Sequence, residues 1–109
     1  MTGINMKINL NIKERLSILQ MLPESGSLSE MIDIMEIIKK VRVEQLEKDE
    51  IQYKETNGLI SWDISRDKGK DIDFSHEEIS ILKASVRNLD SNKKITPTNL
   101  DVCIKINSL

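Results

Sequence analysis

"LNIKERLSILQMLPESGSLSEMIDIMEIIKKV", residues Leu10 to Val41, decides the fold. Pro23 has no backbone N–H and biases Leu22 away from helical angles, so a first helix from about Asn11 to Met21 must stop there. Ile12, Leu16, Leu19 and Leu22 give that helix one apolar stripe. "PESGS" is the turn, with Gly26 free to adopt a left-handed conformation. Ser27 or Ser29 caps a second helix that continues to about Val41. In this helix Leu28, Met31, Ile32, Met35 and Ile38 form one stripe, and Ile34, Ile37 and Val41 form another beside it. At 100° per residue the apolar arc spans roughly 220°, against the ~100° or more of a one-sided surface helix. Only Asp33, Glu36 and Lys40 mark a wet edge. Two arrangements satisfy such a helix: burial between other parts of the domain, or contact with a second subunit. The second assigns Ile34, Ile37 and Val41 to a homo-oligomer interface.

Beyond Val41, "VEQLEKDE" is a charged continuation or a short extra turn. In "IQYKETNGLISWDI", Asn57-Gly58 is the preferred pair for a two-residue type I′ turn. Folding about it sets Thr56 opposite Leu59, Tyr53 opposite Trp62 and Ile51 opposite Ile64, with alternation in agreement. "SRDKGKD" is a polar loop, and "DIDF" offers a short third strand through Ile72 and Phe74. "FSHEEI" then carries a capping box, Ser75 with Glu78, and a hydrophobic staple, Phe74 with Ile79. Ile79, Leu82, Val86 and Leu89 predict the buried stripe of that helix. "DSNKK" breaks it, and Thr96-Pro97 opens a last helix with Leu100, Cys103 and Ile104 facing inward. The expected fold is α+β: two N-terminal helices, a small antiparallel hairpin of two or three strands, and two C-terminal helices.

A chain of 109 residues matches one domain and supports one core. Residues 10–109 are expected to form it, with residues 1–9 a flexible arm in which Met1 and Met6 are both candidate starts. The 16 bases and 18 acids nearly cancel, which removes any global pull toward nucleic acid or anionic membrane. Cys103 is the only cysteine, so neither an intrachain disulfide nor a thiolate-rich metal site can form. No apolar run suits a signal peptide or a membrane span. A cytoplasmic protein is the expectation.

The residues offer no catalytic constellation. His76, the only histidine, falls in the first turn of a helix beside its cap, and Cys103 falls on a buried stripe. "DKGKDID" lacks the spacing and closing glutamate of a calcium loop. No glycine-rich phosphate loop occurs, and no cofactor or metal is expected. Tyr53 and Trp62 read either as core or as a recognition pair. Arg15 lies near the apolar stripe of the first helix and calls for a carboxylate partner or a ligand. With Lys39, Lys40 and Arg42 it makes up the candidate contacts for a ligand or partner.

"NIKERL…LP…G", "NG.ISW" and "IDFS.EE..ILK…LD…KKIT…LD.C.KI" resemble a widespread group of small phage-encoded proteins of about this length. The resemblance runs from Leu10 to Ile106 and rests on Glu14, Arg15, Leu16, Leu22, Pro23, Gly26, Trp62, Phe74, Glu78, Leu89, Asp90 and Leu100. It implies a viral setting and no catalytic residue. The leading expectation is a non-catalytic accessory protein that self-associates and binds a host protein, inhibiting a defence or housekeeping enzyme. One alternative is an oligomer that sequesters an anionic nucleotide in pockets lined by Arg15 or by the bases from Lys39 to Arg42. The other is a winged-helix-like DNA-binding protein with the hairpin as wing, opposed by the crowding of Glu44, Glu47, Asp49 and Glu50 in the same region.

Overall fold

The structure, a computed structural model, describes residues 5–109. Its elements in order are β1 (Met6–Leu10), α1 (Ile12–Met21), α2 (Leu28–Val41), α3 (Gln45–Glu50), β2 (Lys54–Thr56), β3 (Leu59–Ser61), a single 3-10 turn (Ile64–Arg66), β4 (Lys70–Phe74), α4 (His76–Ser91) and α5 (Leu100–Asn107). The architecture is mixed α+β with two small antiparallel sheets, β1–β4 and β2–β3.

Local chemistry sets the helix starts. Asn11, Ser27 and Ser75 each accept from the backbone N–H three residues on, and Glu14, Glu30 and Glu78 reach back to the cap N–H. Three capping boxes therefore begin α1, α2 and α4. Pro23 ends α1, whose cap Leu22 is extended (φ −68°, ψ 145°). At the end of α4, Lys93 takes a positive φ of 55° and Lys94 N–H returns to Leu89 C=O, closing the helix as glycine usually does.

The N-terminal arm is the first correction. Met6–Asn9 are not a loose tail: with Leu10 they form β1, registered as Met6↔Phe74, Ile8↔Ile72 and Leu10↔Lys70 against β4. Of the rest of the arm, Asn5 is exposed and in no element, and residues 1–4 lie outside the described residues. "MKINL" alternates, so Ile8 and Leu10 face the core with Ile72 and Phe74, while Lys7, Asn9, Asp71 and Asp73 face outward. Asn9 Nδ2 donates to Asp71 Oδ1 at 3.0 Å across the pair. The expected third strand thus exists, but it joins β1 and leaves the hairpin as a separate sheet.

The core lies between this sheet and the helices. It gathers Leu10, Ile18, Ile34, Ile37, Val41, Phe74, Leu82 and Ile106, among others. Each such side chain contributes roughly 1.5–3 kcal/mol relative to exposure. In α5 the buried residues are Val102, Cys103 and Ile106, whereas Leu100 and Ile104 are exposed. Of the expected inward set only Cys103 is inside. Apolar residues nearly encircle this short helix, so periodicity alone does not choose its inner face.

The hairpin keeps the expected turn and register, Thr56↔Leu59, with Asn57 and Gly58 at φ 52° and 78°. Pairing ends at Lys54↔Ser61. Gln52, at φ 57°, turns the chain out of the strand, and Ile51, the cap at the end of α3, is buried while Ile64 is exposed on the 3-10 turn.

Candidate functional site

The helix termini explain where most of the buried charge goes. Arg15 on α1 is 1% exposed. Its Nε donates to Val41 C=O at 2.8 Å and Nη2 to Arg42 C=O at 2.6 Å, satisfying carbonyls at the end of α2. The same guanidinium grips Glu47 of α3 with two bonds of 2.6 and 2.9 Å. That fork fixes three helices to one another. The Arg15 hydrogen bond holds the Glu47 carboxyl below its ordinary range, against an opposing push from burial.

Two further pairs follow the same plan. Lys40 Nζ reaches Glu78 Oε1 at 2.6 Å and Asp73 C=O at 2.9 Å. Lys105 Nζ reaches Glu14 Oε1 at 2.8 Å and Asn9 C=O at 2.9 Å. In all three cases the acid is the third residue of a helix, and its base comes from another helix. Glu14 and Glu78, which cap α1 and α4, thus also tie those helices to other elements.

The four candidate contact bases therefore do not converge. Arg15 points inward and Lys40 is engaged with α4. Lys39 and Arg42 remain exposed, each beside a glutamate, Glu36 at 3.3 Å and Glu44 at 2.8 Å. An anionic pocket built on this set would have to break buried pairs first.

Ile34, Ile37 and Val41, the expected oligomer interface, are 2%, 0% and 0% exposed. Their own chain covers them, which excludes them from any subunit contact. The opposite stripe faces outward: Leu28 is 81%, Ile32 58% and Met35 53% exposed, with Met31 and Ile38 half-buried at its side. The expectation had the two stripes of α2 reversed. The sequence alone does not separate them: Lys39 continues the line Leu28–Ile32–Met35, and Glu30 continues the line Ile34–Ile37–Val41 back by one turn.

No protein-family model, curated protein or solved structure matches the chain.

A second exposed feature is hairpin β2–β3. All six of its strand residues are exposed, Leu59 to 75% and Ile60 to 42%, and among the described residues neither strand has another strand beside it. Tyr53 and Trp62 lie half-buried at its base, neither fully core nor a free aromatic patch. Lys48 Nζ stands 5.0 Å over the Tyr53 ring, and burial raises the Tyr53 hydroxyl pKa, with Glu55 adding to it. The Trp62 indole N–H is buried with no acceptor among the described residues. Cys103 is buried and its thiol pKa is raised by that burial, the opposite of an activated nucleophile. His76 is exposed in the first turn of α4. No described helix is long and apolar enough to cross a membrane.

Proposed function

We propose that this chain acts by binding another protein, not by transforming a substrate, and that hairpin β2–β3 is the element it presents. One observation carries the reading: the hairpin gives no strand residue to the core, yet it displays Leu59 and Ile60. A two-stranded hairpin is marginal by itself. Its Asn57-Gly58 turn and its attachment at the buried Ile51 hold a shape that interior packing does not require.

Both outer edges offer unpaired backbone N–H and C=O groups, the requirement for strand addition by a partner. Leu59 and Ile60, being adjacent in a strand, project to opposite faces and supply an apolar anchor on each. The resemblance to small phage proteins makes the partner a host protein in the host cytoplasm, and inhibition of a defence or housekeeping enzyme the concrete outcome. Nucleic acid is a poor partner for this lobe. Residues 42–64 hold six acids against three bases, and a negative wing repels phosphate.

The test is capture from host lysate with the wild-type chain and with a Leu59→Asp/Ile60→Lys variant, followed by titration of the purified captured protein. Both positions are solvent-exposed, so the variant is expected to fold as the wild type does. It should bind at least about tenfold more weakly, since desolvating a charge at an apolar contact costs on the order of 1.4 kcal/mol or more. A partner held equally by both proteins would refute the hairpin as the docking element.

A further inference from the structure

We propose that the partner adds its strand along the outer edge of β3, not of β2, and that this strand is an extended apolar run flanked by basic residues. The inference rests on the hairpin being the docking element and adds the edge and the chemistry of its occupant.

The register decides which backbone groups are free. Residues flanking a two-residue turn bond to each other, so Thr56 and Leu59 point their N–H and C=O groups inward, and Lys54 and Ser61 do so one pair further on. Glu55 and Ile60 therefore point theirs outward, one on each edge. On the β3 side the alternation persists past the strand. Asp63 N–H bonds inward to Ile51 C=O at 2.7 Å, which leaves Trp62 facing outward with Ile60. Among the described residues no turn, loop or cap bonds to the backbone of Ile60 or Trp62.

The β2 edge is interrupted. Tyr53, the next outward residue on that side after Glu55, gives its N–H to Lys48 C=O at 2.8 Å, and Lys48 Nζ lies over its ring. The last turn of α3 thus takes the position where a strand beside β2 would bond. β2 also carries Lys54 and Glu55, and charged side chains on an edge discourage pairing; Leu59, Ile60 and Ser61 carry none.

Open N–H and C=O groups call for another extended backbone, and charge selects whose. The lobe from 42 to 64 has six acids against three bases, with Glu55 directly across from Ile60 and Asp63 just after Trp62. A second copy pairing β3 with β3 would bring two such acidic lobes together. A partner segment with lysine or arginine at its ends meets opposite charge there.

The probe is a short blocked peptide, valine and threonine alternating between terminal lysines, with a counterpart ended by glutamates. Each is titrated into the full chain while backbone amide shifts are followed by NMR. The lysine-ended peptide should move the amides of Ile60 and Trp62 most and that of Glu55 little. At low salt it should bind roughly tenfold or more tightly than its counterpart, a ratio that shrinks as salt is added. Ile60→Pro removes an outward N–H without touching a bond between β2 and β3, and it should weaken binding by about tenfold or more. Ile60→Thr, which keeps that N–H, and Glu55→Pro, which alters only the β2 edge, should bind close to wild type. The shift map on the wild-type chain decides the edge even if a proline variant unfolds.

Shifts centred on Glu55, equal affinity for the two peptides, or no shift with either at millimolar concentration would overturn the proposal. So would shifts at Ile60 that grow with protein concentration alone, the sign of a second copy on β3. These outcomes are separate from the capture experiment. Shifts at Glu55 would move the strand to β2 and keep the hairpin as the docking element, whereas a captured protein indifferent to Leu59→Asp/Ile60→Lys would remove the hairpin itself.

Discussion

Replacing Arg15 by methionine keeps much of the side chain's apolar bulk and removes every donor. Three acceptors are then abandoned: the carbonyls of Val41 and Arg42 and the fork of Glu47. Removing one member of a buried ion pair typically costs about 3–5 kcal/mol. Glu47 retains 28% of its side-chain exposure and can turn toward water, which puts the expected loss at the lower end, about 3 kcal/mol. For a domain near 100 residues this lowers the melting temperature by roughly 12 °C or more. It is also a large share of the ~5–15 kcal/mol that holds a typical domain folded. Urea titration followed by circular dichroism and by fluorescence of Trp62, the only tryptophan, measures it. Arg15→Lys should recover only part of the loss, because an ammonium cannot span two carbonyls and a carboxylate in one plane. A loss below about 1 kcal/mol for Arg15→Met would refute the claim that this guanidinium fastens α1, α2 and α3 together.

The depressed Glu47 pKa implies that its pairing stabilises the fold at neutral pH and that this contribution fades as pH falls below the ordinary value of 4.5. Glu47→Gln should therefore flatten the acid limb of a stability–pH profile, and an unchanged limb would count against the pairing. Ile37→Ala should cost about 2–5 kcal/mol, whereas Met35→Ala should stay within about 0.5 kcal/mol; equal losses in denaturant titrations would mean the two faces of α2 are wrongly assigned. Gly69 has φ +75°, and a β-carbon there would sit 2.4 Å from Asn9 Oδ1. Gly69→Ala should accordingly loosen β1 from β4, seen as faster amide exchange at residues 6–10, and unchanged exchange would show that Asn9 yields without cost.

What the sequence disclosed was local. Ser75 with Glu78, Ser27 as a cap, the stop at Pro23 and the Asn57-Gly58 turn each depend on a few neighbouring residues, and each is found where its chemistry places it. Long-range choices were hidden. "MKINL" is a five-residue alternation too short to announce a strand, and its partner lies some sixty residues away in β4. Arg15 called for a carboxylate, but the adjacent Glu14 faces Lys105, and the true partner, Glu47, is separated by 32 residues. In α2 two apolar stripes competed for the core, and only the sheet and α4 settle which one goes inside. Tyr53 and Trp62 were expected to extend the hairpin, yet a single residue with positive φ, Gln52, ends the pairing before them.

Amide hydrogen exchange on the chain alone and in complex with whichever protein the capture experiment yields addresses the proposed hairpin docking most directly. Strand addition predicts strong new protection across residues 54–61, because edge N–H groups that face water become bonded to the partner's backbone. New protection confined to other segments, with the hairpin exchanging as fast as in the free chain, would contradict it.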